Sequence, residues 1–136
     1  MSYLFDTNVL SELRKGKRAN AGLAAWITDV AEDDLYLSVL VIGELRQGVE
    51  RVRRRDVMAA ARLERWLVGL VEAHADRILP LDVRICELWG RLNVPDPLPA
   101  VDGLLAATAI AHDLVLVTRN TRDVARTGVR TLNPFS

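Results

Sequence analysis

Asp6, Glu44, Asp102 and one of Asn120 or Asp123 stand near the ends of apolar stretches in this 136-residue chain, where they could converge on one rim of a sheet. Asp6 directly follows the apolar triplet Tyr3-Leu4-Phe5, and Glu44 lies six residues after Ser38, which closes a second apolar stretch. Asp102 falls near the start of a run of small apolar residues (LLAATAIA), and Asp123 follows Asn120 beyond the apolar stretch Leu114–Thr118. A carboxylate buried without a partner is unfavourable, and no Lys or Arg adjoins Asp6 or Asp102 in the chain. Each acid has a local explanation. Asp6 can cap the helix after it, Asp102 can sit in the favourable field of a helix N-terminus, and Glu44 can be a surface acid on an amphipathic helix. As a set they point to a hard divalent ion, because Mg²⁺ and Mn²⁺ prefer oxygen ligands and keep several waters.

The elements that must position these acids follow from the apolar pattern. Short strands are expected at Tyr3–Phe5, Leu35–Leu37, Ile78–Leu81, Leu114–Thr118 and Arg130–Leu132. Helical spacing is expected over Thr7–Arg14, Leu23–Val30, Val39–Arg53, Asp56–Ala75, Val83–Leu92 and Ala100–His112. Ser38 is placed to cap the third of these helices, and the proline-rich segment Asn93–Pro99 must be a loop. Strands alternating with helices predict an α/β sandwich with a mostly parallel sheet. In such sheets sites form beyond the carboxyl ends of the strands, which is where the acids fall.

Composition narrows the classes. Half the residues are apolar and 26% are charged, which is ordinary globular usage at a length suited to one domain, residues 1–136. No apolar stretch is long enough to span a membrane, and Asp6 interrupts the early apolar run in a way a secretory signal would not. One cysteine, Cys86, excludes an internal disulfide or a thiolate cluster. A cytoplasmic protein is expected. The net charge is zero, yet unevenly spread: Arg46–Arg65 holds seven arginines against three acids, and all bases but Lys15 and Lys17 are arginine. Arginine grips phosphate with two parallel donors, so a phosphate-rich partner is permitted, as is a solvated surface.

Four blocks resemble successive signatures of PIN domains, most closely VapC-type toxins of bacterial toxin–antitoxin pairs. They are Phe5-Asp6-Thr7-Asn8-Val9-Leu10, Ser38-Val39-Leu40-Val41-Ile42-Gly43-Glu44-Leu45, Asp102-Gly103-Leu104-Leu105-Ala106-Ala107-Thr108-Ala109 and Leu116-Val117-Thr118-Arg119-Asn120. The resemblance runs from Tyr3 to the Asn133-Pro134-Phe135 tail. It implies a PIN-like three-layer sandwich of four or five strands, and a Mg²⁺-dependent endoribonuclease (Mn²⁺ an alternative) held inactive by a VapB-like antitoxin. The implied products carry a 5′-phosphate and a 3′-hydroxyl, and a homodimer is expected. The resemblance carries metal binding onto Asp6, Glu44 and Asp102. Many relatives have Asp where Asn120 stands, so the fourth acidic position falls to Asn120 or Asp123. Asn8, Thr118 and Asn120 are expected to orient the carboxylates by hydrogen bonding, and Arg119 and Arg122 to meet substrate phosphates.

Other residues read as structural. His74 and His112 are expected at helix ends, and Cys86, Trp26 and Trp66 in the core. The Arg51–Arg55 run is expected to face RNA or an acidic antitoxin segment, and the helix pair Val39–Ala75 to form the antitoxin groove. The competing reading is a non-catalytic PIN-fold module that binds RNA or protein, for which clustered unpaired carboxylates have no use. A phosphotransfer enzyme is disfavoured because Asn8 stands where a second Asp is wanted and no lysine lies near the last strands.

Overall fold

The computed structural model describes residues 1–136. Five strands, β1 (Tyr3–Phe5), β2 (Leu35–Ser38), β3 (Ile78–Leu79), β4 (Val115–Val117) and β5 (Thr131–Leu132), form one sheet in the order β3-β2-β1-β4-β5. Every pairing is parallel, with Tyr3 opposite both Leu35 and Val115. Seven helices make the crossovers: α1 (Thr7–Leu13), α2 (Ala21–Ile27), α3 (Val39–Arg53), α4 (Val57–Ala73), α5 (Val83–Leu92), α6 (Ala100–Ala111) and α7 (Thr121–Val124).

From β1 the chain steps through β2 to β3, then returns past β1 to β4 and β5. Because parallel crossovers are right-handed, α1–α4 cover one face and α5–α7 the other. The packing agrees: α1 and α4 lie against α3, while α5 and α7 lie against α6. This is the expected three-layer sandwich, and its strand order reverses between β1 and β4.

Side-chain caps start five of the helices where the sequence supplies Asp, Asn or Ser. Asp6, Asn20, Ser38, Asp56 and Asp82 each accept a hydrogen bond from a first-turn N–H. Asn20 also explains why α2 begins earlier than its apolar spacing suggests, and Asp56 why α4 begins one residue later. Leu4, Phe5, Leu37, Leu116 and Val117 from the strands meet Val9, Leu23, Val41, Leu105 and Ala106 from the helices in the core. Each such large side chain contributes about 1.5–3 kcal/mol of burial. The small residues of α6 let it lie deep: Gly103 and Ala106 to Ala109 are all buried.

Trp26 packs edge-on against Tyr3, ring centroids 5.1 Å apart, and Trp66 is half-buried against the core. His74 and His112 end α4 and α6. Cys86 departs from expectation, because it is exposed. The inward face of α5 is carried by Ile85, which is buried, and by Trp89, one turn on and against Gly103 of α6, and a residue one step beyond Ile85 is rotated about 100° outward. No helix is long and apolar enough to cross a membrane.

Candidate active site

Asp6 is the pivot of the strand-end rim. Its backbone continues the β1–β4 ladder, the N–H donating to the Val117 carbonyl at 3.0 Å. Its side chain is only 6% exposed and both oxygens are held. Oδ1 accepts from the Thr7 N–H at 2.7 Å and Oδ2 accepts from the Thr118 hydroxyl at 2.8 Å. Thr118 is itself buried and accepts from the Asn120 N–H at 3.0 Å, which leaves its one proton for Asp6. The cost of burying Asp6 is thus met by neutral donors, and both oxygens keep lone pairs to offer.

Glu44 reaches the same rim from α3. Ser38 ends β2 and caps α3, its hydroxyl accepting from the Leu40 N–H at 3.1 Å, so Glu44 lies about a turn and a half into that helix. The Thr7 hydroxyl donates to Glu44 Oε1 at 2.5 Å. One residue therefore orients two acids, Asp6 through its N–H and Glu44 through its hydroxyl.

Asp102 lies in the first turn of α6. A helix N-terminus favours the ionised form, yet the Asp102 carboxyl is pushed above the usual carboxylate range. Burial is the largest cause, followed by the negative charges of Asp6, Asp123 and Glu44. The same ordering places Asp6, Asp123 and Glu44 close enough for their charges to act on Asp102. None of them belongs to any of the chain's ion pairs. Gly103, beside Asp102, admits Trp89 of α5 closely, since a Cβ there would stand 3.2 Å from the indole.

The acids do not close into a cage: no three of them gather as a ready set of metal ligands. All are hard oxygen donors without a neutralising cation, and that donor set fits Mg²⁺, which takes one or two carboxylates and retains waters.

Of the expected site residues, Thr118 bonds to Asp6, Thr7 links Asp6 to Glu44, and Asp6, Asp123 and Glu44 act on Asp102 by their charge. Asn8 is exposed and hydrogen-bonds to none of the acids, because one helical step turns it away from the face that Thr7 presents. Asn120 acts through its backbone N–H, and its side chain caps nothing. Arg119 stacks over the Phe135 ring at 4.3 Å and its charge reaches Glu12, whereas Arg122 is exposed and unpaired. Thr7 was missed. Its signal was a hydroxyl residue directly after the strand-end acid.

Acids on separate segments at the strand ends of a parallel sheet that reverses its order fit a PIN domain. The sequence profile of that family matches residues 3–129, and the chain belongs to it. It is 32% identical over 140 residues to the toxin FitB of Neisseria gonorrhoeae, covering 97% of each chain. The crystal structure of FitAcB from that organism is similar with a TM-score of 0.89, at 30% identity over 97% of both chains. The VapC ribonuclease Y4jK of Sinorhizobium fredii is 33% identical over 139 residues, 97% of this chain and 96% of that one. A toxin–antitoxin complex from Klebsiella pneumoniae contains a chain similar with a TM-score of 0.74, at 25% identity over 99% of both chains.

Proposed function

We propose that this PIN domain is the toxin of a type II toxin–antitoxin pair, a Mg²⁺-dependent endoribonuclease that a VapB-like antitoxin holds inactive. The observation that carries the reading is a rim of acids that enter no ion pair, Asp6 held by Thr7 and Thr118 and Glu44 by Thr7, with the Asp102 carboxyl raised by burial and by Asp6, Asp123 and Glu44. Such a concentration of negative charge is destabilising by itself, and a divalent cation relieves it. The relatives named as toxin and as ribonuclease supply the rest of the assignment.

Asp6, Glu44 and Asp102 would hold the ion, with Asp123 as the fourth acid. When bound, Mg²⁺ lowers the pKa of a coordinated water and polarises the scissile phosphate. The chain's own part is positioning. Thr118 and the Thr7 N–H fix both oxygens of Asp6, so its remaining lone pairs point in set directions. The Thr7 hydroxyl holds Glu44, which is then placed to orient a water for in-line attack. Arg122, and Arg119 when it leaves Phe135, meet flanking phosphates from the β4 side of the rim. Unpaired RNA segments suit such an open rim better than duplex does, because their phosphates can be turned inward.

The deciding experiment incubates the protein, freed of any partner, with structured RNA in Mg²⁺, Mn²⁺ or EDTA, beside Asp6→Asn. Cleavage that depends on metal and vanishes in the variant supports the reading. RNA bound equally with and without metal, never cut, and indifferent to Asp6→Asn, returns the protein to the non-catalytic binding module.

A further inference from the structure

Beside the acidic rim, between α1 and the α3–α4 pair, lies a cavity of about 210 Å³ that Glu44 and Thr7 share with Ser11 and Arg14. Its remaining wall is largely apolar, with Val49, Val52 and Trp66 among the lining residues. Arg14 is its only basic residue. Thr7, Ser11 and Arg14 are spaced four and three residues apart, so they lie on one face of α1 and its C-cap. The face runs from the acids outward: a hydroxyl bonded to Glu44, then the free hydroxyl of Ser11, then a guanidinium.

Arg14 is exposed and enters none of the chain's ion pairs, and its guanidinium and the Ser11 hydroxyl make no hydrogen bond within the protein. Four other arginines do meet acids: Arg46 and Arg53 with Glu50 and Glu64, Arg77 with Asp76, Arg130 with Asp113. An unpaired guanidinium beside an acidic rim, with an unpaired hydroxyl between them, lacks an anion that brings its own acceptors.

We infer that Arg14 and Ser11 form a phosphate-binding subsite for RNA, on the α1 side of the rim. The inference rests on the ribonuclease reading and adds the direction in which the strand leaves the acids. Seven residues of helix rise about 10 Å, so the phosphate at Arg14 is a neighbour of the one at the carboxylates. Arg14 grips it with two donors, and Ser11 donates to the same group. Their role is binding, so their loss raises KM and leaves kcat near its value.

The test uses the full chain, freed of any partner, and a short fluorescein-labelled single-stranded RNA of mixed sequence. Anisotropy is read in EDTA, which prevents cleavage, across a series of KCl concentrations. Arg14→Ala is expected to weaken binding about tenfold and to make the slope of log affinity against log salt shallower by about 0.7, the share of one phosphate contact. Arg14→Lys keeps the slope and loses part of the affinity, since the charge stays and the fork is lost. Arg62→Ala, an equal charge change at an exposed and unpaired position of α4, controls for net charge. Binding by Arg14→Ala that matches wild type, or falls no further than in Arg62→Ala, overturns the inference. An Arg14→Ala protein that keeps its RNA affinity but sheds a co-purified antitoxin overturns it too, and gives the residue to the protein partner. Wild type that cuts RNA in Mg²⁺ while Arg14→Ala shows an unchanged KM sinks this subsite alone. Wild type that neither binds nor cuts RNA sinks the ribonuclease reading with it.

Discussion

Thr118 donates its hydroxyl to Oδ2 of Asp6 at 2.8 Å across 112 positions of the chain, and both residues are buried. The bond joins the ends of β4 and β1, the two strands between which the sheet reverses its order. Thr118→Val keeps the shape and leaves a buried carboxylate oxygen and the Asn120 N–H without that partner. A loss of about 1–3 kcal/mol in urea unfolding is expected, with a fall of about 10–100-fold in Mg²⁺ affinity or activity. Unchanged Mg²⁺ titration of cleavage would show that Asp6 needs no help in orientation.

Asp102 makes the metal-free site a source of instability. Its folded-state pKa lies above that of the unfolded chain, so between the two values the folded protein binds more protons. Its ionisation therefore destabilises the fold as pH rises through that window, and acid relieves the strain. Asp102→Asn is expected to melt higher than wild type in EDTA at neutral pH, to lose this advantage as pH falls through the carboxylate range, and to be inactive. A variant no more stable than wild type at neutral pH contradicts the charge crowding.

Asp123 and Asn120 compete for the fourth acidic position. Asp123 contributes to the field at Asp102, while the Asn120 side chain is uncharged and caps nothing. Asp123→Asn is expected to weaken Mg²⁺ dependence of cleavage by about 10–100-fold. Adding Asn120→Asp to that variant restores it if the two positions are equivalent. Mg²⁺ titrations identical for wild type and Asp123→Asn would remove Asp123 from the site.

Gly22 lets the end of the chain lie against α2. The Asn20 amide donates to the Ser136 carbonyl at 3.1 Å, and the Gly22 N–H donates to the Ser136 hydroxyl at 3.1 Å. A Cβ on Gly22 would stand 2.7 Å from the Pro134 carbonyl oxygen and from the Ser136 nitrogen. Gly22→Ala is expected to lift residues 133–136 off, at about 0.5–3 kcal/mol. It also loosens Phe135 from Arg119, so proteolysis at the C-terminus should quicken. A Tm and a digestion rate equal to wild type would show that the tail's seat yields easily.

Arg46 and Arg53 of α3 are tied to acids in a surface network: Glu64 accepts from Arg46 at 2.6 Å and from Arg53 at 3.1 Å. These contacts hold the Glu64 carboxyl below its usual range, chiefly through Arg46 and then Arg53. A depressed carboxylate stabilises the fold above its unfolded-state pKa, and that share is lost as pH falls through the folded value. The groups are solvent-exposed, so Glu64→Gln should lower Tm slightly at low ionic strength and not at all in high salt. A salt-independent loss would instead mean that Glu64 contributes by packing.

Much of this protein was set by local chemistry and is therefore legible in its residues. Periodic apolar residues marked α3 and α5 at their observed bounds, and Ser38 capped α3 as its hydroxyl requires. The acids stood out because an unpartnered carboxylate after an apolar strand conflicts with burial. What the residues left open depended on rotation and on chain return. Whether Asn8 or Thr7 faces Glu44 is decided by about 100° of helix twist, and Cys86 is exposed for the same reason. That β4 pairs with β1, bringing Thr118 to Asp6 and the charge of Asp123 to Asp102, follows from the strand order alone. No local pattern records that order, because the free energy of gathering distant segments resides in the packed core they share. The types of residue at the site belong to the sequence; their pairing, and the cavity that joins Glu44 to Arg14, belong to the fold.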